Sequence, residues 1–218
     1  SANPKINSMQ TLTALQVMQD APVIPVIVLD QVQDAVPLAR ALVAGGIRML
    51  EITLRTPQAL ACIEAIAREV PQAVPGAGTV RNRADVQAAQ RAGARFLVSP
   101  GYTHALGQAA HATGLPLLPG VATGSEIMAA LDDGYTALKF FPALASGGTA
   151  LLKAWNGPFA EVRFCPTGGI SPQNAPDFLA LPNVACVGGS WLTPTEAITR
   201  QNWDGITRLA TQAAQLRS

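Results

Sequence analysis

The chain has 218 residues, a formal charge of +1 at pH 7, 13% charged residues and 5% aromatic residues. A chain of this length can form one large domain with a substantial core. The small net charge and the scarcity of aromatic residues argue against nucleic acid as a partner, and no apolar run is long enough to span a membrane.

The amino-terminal segment, SANPKINSMQ, lacks the apolar core of a secretory signal. We expect residues 1–8 to be poorly ordered or to derive from an expression vector, and residues 9–19 to form a helix. The cysteines, Cys62, Cys165 and Cys186, are widely spaced, which is typical of neither a disulfide framework nor a zinc site. We therefore expect reduced thiols in a cytoplasmic protein.

Eight short apolar runs are the predicted strands. They cover residues 22–29, 48–54, 73–78, 95–99, 116–120, 136–141, 162–166 and 184–189. Between them, segments such as residues 34–45 and 57–70 carry apolar side chains at helical spacing. Strands that alternate with helices pair in parallel. Eight such units predict an α/β fold, a single (β/α)8 TIM barrel with an extra N-terminal helix, as one domain over residues 1–218.

A doubly wound open sheet is the alternative architecture for such an alternation. Its dinucleotide fingerprint would place three spaced glycines after a strand. The segment GAGTV, residues 76–80, follows a predicted strand but has no third glycine at the required place. The barrel is therefore the favoured prediction.

One lysine lies inside an apolar run, YTALKFFPA at residues 135–143, in a chain with only three lysines and twelve arginines. Alternate residues of a strand point to opposite faces, so Lys139 shares a face with Ala137 and Phe141. A lysine among the surrounding helices would be unpaired and costly to bury. We therefore predict that Lys139 faces the barrel interior.

The second predicted strand carries polar residues on one face only. Glu51, Thr53 and Arg55 alternate with the apolar Ile52 and Leu54. Because the helix-covered outside of a barrel is apolar, this alternation predicts that Glu51 points inward. Arg55 falls at the carboxyl end of the strand, where barrel enzymes carry their active sites.

Two interpretations fit a lysine and a glutamate that share one interior. The first is a silent internal ion pair between Lys139 and Glu51. The second is chemical: burial favours the neutral amine, which attacks a carbonyl and forms a Schiff base, while Glu51 moves protons as the acid/base partner. A buried ion pair gains little stability over apolar packing, which favours the second interpretation.

Glycine turns follow the last two predicted strands. They are PTGGIS at residues 166–171 and GGSW at residues 188–191. Glycines let backbone N–H groups approach an anion, and barrels often bind phosphate at the loops after strands seven and eight. We predict a phosphate site there, although tight turns without a ligand are the alternative. Neither turn is a Walker motif, so a nucleoside triphosphate is not expected.

Six motifs occur together in a characteristic order. They are ALVAGGIRMLEITLRT (41–56), GAGTV (76–80), SPG (99–101), LKFFPA (138–143), RFCPTGGIS (163–171) and VGGSWL (187–192). The combination resembles the 2-keto-3-deoxy-6-phosphogluconate (KDPG) aldolases, class I enzymes that also act on 4-hydroxy-2-oxoglutarate (KHG). The resemblance covers about residues 22–203. It implies a barrel, usually a homotrimer, that uses neither cofactor nor metal and cleaves the sugar acid to pyruvate and glyceraldehyde 3-phosphate.

The resemblance also implies roles for individual residues. Lys139 matches the Schiff-base lysine, and Glu51 matches the general acid/base that works with a water. Arg55 and Thr79 match the residues that hold the pyruvate carboxylate.

Further positions match the walls of the site and its phosphate end. Thr167 matches the position that helps to distinguish the C4 epimers of the substrate, where threonine resembles the gluconate enzymes. The others are Pro100 and Phe141 for the walls, and Gly168, Gly169, Gly189 and Ser190 for the phosphate end. The expected ligands are a phosphorylated 2-oxo acid and pyruvate.

Three residues depart from the family pattern. Tyr102 and His104 stand where acidic or small residues are common, and Leu144 stands where a glutamate is frequent. They leave the substrate preference open. His104 and His111 are seven residues apart without a nearby acidic cluster, so we expect a solvated helix face rather than a metal site.

Two other functions remain open at this point. A phosphosugar isomerase or epimerase barrel would share the phosphate turns without an imine at Lys139. A non-catalytic barrel that binds phosphorylated ligands would keep Lys139 and Glu51 as a silent pair.

Overall fold

Residues 11–217 are described by the computed structural model, and strands and helices alternate along them as the apolar pattern predicts. The strands are β1 (Val23–Ile27), β2 (Met49–Thr53), β3 (Val74–Gly78), β4 (Leu97–Val98), β5 (Leu117–Leu118), β6 (Gly120–Val121), β7 (Ala137–Phe140), β8 (Arg163–Pro166) and β9 (Val187–Gly189). The expectation for residues 1–8 lies outside the described residues.

Helices occupy most of the connections between the strands. They are α1 (Ala14–Gln19), α2 (Ala35–Ala44), α3 (Ala59–Glu69), α4 (Arg83–Ala92), α5 (His104–Thr113), α6 (Gly124–Asp132), α7 (Ala143–Ser146), α8 (Gly148–Trp155), α9 (Ala175–Leu179), α10 (Thr195–Thr199) and α11 (Trp203–Ala214). None of the helices within residues 11–217 combines the length and the apolar character needed to cross a membrane.

Five of these helices begin at a side-chain cap, and three of the five, α4, α5 and α6, come shortly after a strand. Asn82, Thr103 and Thr123 accept hydrogen bonds at 2.9, 3.2 and 3.2 Å from the backbone N–H groups three residues further on. Each cap satisfies a backbone donor that the first helical turn leaves unpaired. Because α4, α5 and α6 each start shortly after a strand, the caps fix the loops at the carboxyl ends of the sheet.

The strands pair in parallel and form two sheets, of which the larger is curled. Six of them lie in the order β5-β4-β3-β2-β1-β9, and β6-β7-β8 form a second, three-stranded sheet. Two isolated parallel bridges link the two sheets. Phe164 of β8 pairs with Val184, which precedes β9, and Thr167, which follows β8, pairs with Gly188 of β9. The chain is therefore an α/β protein built on parallel strands.

A single proline separates β5 from β6. Pro119 has no backbone N–H to donate to the neighbouring strand, which interrupts the ladder. Its carbonyl still accepts a hydrogen bond from the Lys139 N–H at 2.9 Å, and the Ser99 Oγ accepts one from the Gly120 N–H at 3.3 Å. The fifth predicted strand is thus divided into two short strands, β5 and β6.

The core has an outer and an inner part. The outer cluster packs the strands against the helices and includes Leu50, Ile52, Leu138 and Phe140. The inner cluster lies on the opposite face of the same strands; its members are Ile24, Met49, Val74, Phe96, Val98, Leu118, Ala137, Cys165, Ala185 and Cys186, with Val17 and Met18 of α1. This division confirms the predicted alternation of inward and outward side chains along the second and sixth predicted strands, which are β2 and β7.

The helix α1 covers the inner cluster at the amino-terminal ends of the strands. Its Val17 and Met18 are fully buried and pack with first residues of strands such as Met49 and Ala137. Thr13 and Gln16 form a capping box at its start. The opposite ends of the strands therefore remain for a functional site.

Candidate active site

Glu51 in the six-stranded sheet and Lys139 in the three-stranded sheet both lie on the side of the inner cluster. Lys139 is 5% exposed and Glu51 is 4% exposed. Their strand neighbours Leu138, Phe140 and Ile52 belong to the outer cluster, so the two polar side chains point the other way. The structure confirms the inward orientation that the alternation of residues predicts.

The backbone of Lys139 is held from both sides in the second sheet. Its Cα pairs with Gly120 of β6 and with Cys165 of β8. The Nζ atom lies 4.7 Å from the centroid of the Phe141 ring, a position in which an aromatic face attracts a cation. Phe141, predicted to line the site, therefore contacts the predicted nucleophile directly.

Burial controls the protonation of Glu51. It raises the pKa of the carboxyl above its ordinary value of 4.5, and the attraction of Lys139 and Arg55 opposes this effect only in part. Within residues 11–217, neither the Glu51 nor the Lys139 side chain forms a direct hydrogen bond or an ion pair within 4.0 Å. The two groups attract each other without touching.

Arg55 and Thr79 follow the carboxyl ends of two neighbouring strands, β2 and β3. The Leu54 N–H donates to the Gly78 carbonyl at 2.9 Å, which holds the two strand ends side by side. Thr79 has a φ of 56°, a left-handed conformation that is a true outlier for a β-branched residue. Such strain is found mostly at functional positions, and here it occurs directly after β3, whose end pairs with the end of the strand that precedes the exposed Arg55.

The two glycine turns lie next to each other. Thr167 is buried, and its backbone pairs with Gly188 at the start of the second turn. Gly168 and Gly169 have φ values of 105° and 74°, which residues other than glycine rarely adopt. The carbonyl of Thr167 accepts a hydrogen bond from the N–H of Ala143 at 2.7 Å, which connects the first turn to the start of α7.

The remaining predicted residues also lie at strand ends. Pro100 follows β4 and lies against β6, because a Cβ added at Gly120 would be 2.5 Å from the Pro100 carbonyl. Gly189 ends β9 and leaves room for the ring of Trp191. Ser190, the next residue, is exposed.

The three departures from the family pattern occupy two places. Tyr102 and His104 both hydrogen-bond to the side chain of Asp133, just after α6. Leu144 is 50% exposed and packs against Gly169 in the first glycine turn.

The two histidines lie on an exposed face of α5, as expected. His104 and His111 are both exposed, and His111 bonds to the backbone carbonyl of Asp133 at 2.8 Å. Within residues 11–217, no group of three or more His, Cys, Asp or Glu side chains could hold a metal ion.

Sequence reasoning missed two glycines that make room for site residues. A Cβ at Gly78 would collide with the carboxylate of Glu51, and a Cβ at Gly188 would collide with the side chain of Thr167. The available signal was the glycine itself, since glycine inside a strand often marks a close approach of other atoms.

Comparisons with known proteins agree with this geometry. A family model described as "Aldolase: KDPG and KHG aldolase" matches residues 15–209. The 2-dehydro-3-deoxy-phosphogluconate aldolase of Pseudoalteromonas atlantica is 53% identical over 202 residues, 93% of this chain and 94% of the relative. The KHG/KDPG aldolase of Escherichia coli K12 is 51% identical over 203 residues, 93% of this chain and 95% of the relative.

Solved structures are similar over nearly the whole chain. The KDPG aldolase of Legionella pneumophila, with pyruvate captured at low pH as a covalent carbinolamine, is 48% identical with a TM-score of 0.92; the match covers 94% of this chain and all of that one. The 2-keto-3-deoxy-6-phosphogluconate aldolase of Zymomonas mobilis with 3-phosphoglycerate is 48% identical with a TM-score of 0.88; the match covers 94% and 96% of the two chains.

Proposed function

Because the chain belongs to the KDPG and KHG aldolase family, we propose that it is a class I aldolase, a carbon–carbon lyase. It cleaves 2-dehydro-3-deoxy-6-phosphogluconate reversibly to pyruvate and glyceraldehyde 3-phosphate, and 4-hydroxy-2-oxoglutarate to pyruvate and glyoxylate. The observation that carries this proposal is the pair of buried polar side chains, Lys139 and Glu51, on the inner faces of the two sheets.

The reaction begins at Lys139. Its neutral amine attacks the C2 ketone of the substrate and gives a carbinolamine, which loses water to become an iminium ion. The covalent carbinolamine of pyruvate in the Legionella pneumophila relative supports this step. The positive nitrogen then accepts the electrons of the C3–C4 bond, so cleavage leaves an enamine.

Glu51 moves the protons. Through a water it accepts the proton of the C4 hydroxyl as the C3–C4 bond breaks and the aldehyde departs. A proton then returns to C3 of the enamine, and water releases pyruvate from Lys139. A carboxylate whose pKa is raised by burial suits both directions of transfer better than an ordinary, more acidic one.

The other site residues orient the substrate. The guanidinium of Arg55 can hold the carboxylate with two parallel hydrogen bonds, with Thr79 beside it. Gly168, Gly169 and Ser190 hold the phosphate, whose binding helps to orient the reacting carbons. The bound 3-phosphoglycerate of the Zymomonas mobilis relative supports a phosphorylated ligand.

The walls and the rim of the site set its specificity. Pro100 and Phe141 line the reacting end, and Gly189 belongs to the second phosphate turn. Thr167, near the start of the first phosphate turn, discriminates between the C4 epimers. Its buried position and its contact with Gly188 support a fixed orientation of its hydroxyl.

The proposal extends to the architecture around the site. We propose a closed (β/α)8 barrel formed by one domain. The single-residue break at Pro119 between β5 and β6 and the bridges between β8 and the β9 segment support closure. A homotrimer in the cytoplasm follows from the family resemblance, and the three buried free cysteines are compatible with a reducing compartment.

Trapping of the Schiff base tests the proposal. We expect pyruvate and borohydride to add one reduced pyruvyl group per chain, and peptide mapping to place it on Lys139. The variant Lys139→Arg should give neither adduct nor cleavage. Lys153→Arg is the matched control, since Lys153 is exposed on α8 and should leave both unchanged.

The same experiment separates the other two functions. Phosphate-dependent ligand binding without an adduct would favour an isomerase, an epimerase or a non-catalytic barrel. A panel of 2-oxo-4-hydroxy acids, with and without a terminal phosphate, then ranks the substrates by kcat/KM.

A further inference from the structure

Strand β3, with the sequence VPGAG, places two glycines on the inner face of the sheet. Val74 belongs to the inner cluster, so Gly76 and Gly78 face the same side. Glycine weakens a strand because it adds flexibility and contributes no packing. Neither glycine has a positive φ, so the backbone conformation does not require them. Another feature must account for the missing side chains.

A side chain packs against each glycine, from Phe96 just before β4 at Gly76 and from Glu51 on β2 at Gly78. A Cβ at Gly76 would lie 2.6 Å from Cδ2 of Phe96 and closer still to two other ring atoms. A Cβ at Gly78 would lie 2.8 Å from both Cγ and Cδ of Glu51, and closer still to Oε2. Real Cβ atoms essentially never approach other atoms within 3.0 Å. A methyl group at position 78 and the present position of the Glu51 carboxylate therefore exclude each other.

The neighbours of Glu51 explain why its carboxylate reaches Gly78. In the register of β2 and β3, Glu51 pairs with Gly76 and Thr53 pairs with Gly78. The ring of Phe96 fills the place beside Gly76. The hydroxyl of Thr53 turns the other way and donates to the Ile27 carbonyl on β1 at 3.0 Å. Glu51 therefore extends one layer toward the carboxyl ends of the strands and lies against Gly78.

This direction is also the chemically useful one. The carboxyl ends of the strands carry Arg55, whose charge attracts Glu51, and Lys139 is the other attracting charge. A longer side chain at position 78 would push the carboxylate away from the wall of β3. Atoms of a catalytic acid/base must lie within hydrogen-bond reach of the proton that they move.

We propose that Gly78 is a positioning residue for the Glu51 carboxylate. It acts by having no side chain, so that β3 forms a wall against which the carboxylate lies in one orientation. The inference rests on the proposed function, because it assigns Gly78 a role only if Glu51 is the acid/base of the aldolase reaction.

The variant Gly78→Ala tests this role. The added methyl group requires Oε2 to move by roughly 1 Å, and a displacement of that size can lower a rate about 100-fold. We expect kcat for aldol cleavage to fall by about this factor, while KM changes far less because Arg55 and the phosphate turns are intact. Borohydride trapping of pyruvate at Lys139 should still go to completion.

Shortening the glutamate provides the decisive comparison. Glu51→Asp removes the methylene that holds the carboxylate against Gly78, so the alanine methyl then has room. We expect Gly78→Ala to cost about 100-fold in the wild-type background and at least tenfold less in the Glu51→Asp background. Gly157→Ala is the matched control: its Cβ would meet only the Ala154 carbonyl, at 3.9 Å, and kcat should not change.

The outcomes separate the inference from the proposed function. Full activity of Gly78→Ala, or an equal loss in both backgrounds, overturns the inference. If the single variant does not fold by circular dichroism, folding of the double variant supports the inference, and failure of both overturns it. The proposed function fails independently, if Glu51→Gln retains full turnover or if no pyruvyl adduct forms on Lys139.

Discussion

The joint replacement Glu51→Gln/Lys139→Met tests whether this charge pair is kept for chemistry or for stability. Both side chains are at least 95% buried, and the substitutions remove both charges with little change in shape. Burial raises the pKa of Glu51 despite the attraction of Lys139 and Arg55. The free-energy cost of burying the ionised carboxylate is therefore larger than its favourable electrostatic interaction with Lys139 and Arg55.

The expected gain in stability follows from this balance. Replacing a buried ion pair with neutral side chains of similar volume often stabilises a protein by about 1–4 kcal/mol. For a chain of this size, about 2 kcal/mol corresponds to a rise in Tm of roughly 4–8 °C. The double variant should be inactive and more stable than the wild type.

The pH dependence of the gain has a definite sign. The folded-state pKa of Glu51 lies above the ordinary value of 4.5, so the stability linked to this group is complete below pH 4.5 and is lost as pH rises through the folded pKa. The advantage of the variant should therefore be present at pH 7 and fade as the solution is acidified toward pH 4.5.

Urea unfolding at several pH values, followed by circular dichroism, measures this difference. The single variant Lys139→Met is the control, because it leaves Glu51 without the opposite charge that attracts it most strongly and should be less stable than the double variant. A double variant that is clearly less stable than the wild type at pH 7 would refute the reasoning, since the pair would then be a structural support.

Two further predictions concern Asp133 and the three cysteines. Hydrogen bonding from Tyr102, aided by His104, lowers the pKa of Asp133 below its ordinary 3.8; Asp133→Asn should therefore lower Tm at pH 7, and the difference should close only as the pH falls through that lowered pKa. A Tm gap that is the same at pH 7 and pH 2.5 would contradict this. All three cysteines are buried, and burial raises the pKa of Cys62 to about 11. A thiol reagent at pH 8 should therefore label no cysteine in the native protein and three cysteines in guanidinium. Rapid labelling of the native protein would contradict this, because it would show that the thiols are accessible.

The sequence alone determined the orientation of the two central side chains. Alternation along a strand depends only on local geometry, and an apolar outer face leaves one choice for Lys139 and Glu51. The order of strands, helices and glycine turns followed from the same local patterns. Glu51 and Lys139 lie within strands, and the other predicted site residues end or follow one.

The tertiary structure decided which side chains meet across strands. The contacts of Glu51 with Gly78 and of Thr167 with Gly188 depend on the register between strands, which the period of either strand does not specify. The raised pKa of Glu51 likewise depends on how deeply the whole fold buries it and on how far Lys139 and Arg55 lie from it. Periodicity fixes the direction of a side chain because it is a property of one segment. Spacing and burial belong to several segments together, so they arise only when those segments pack.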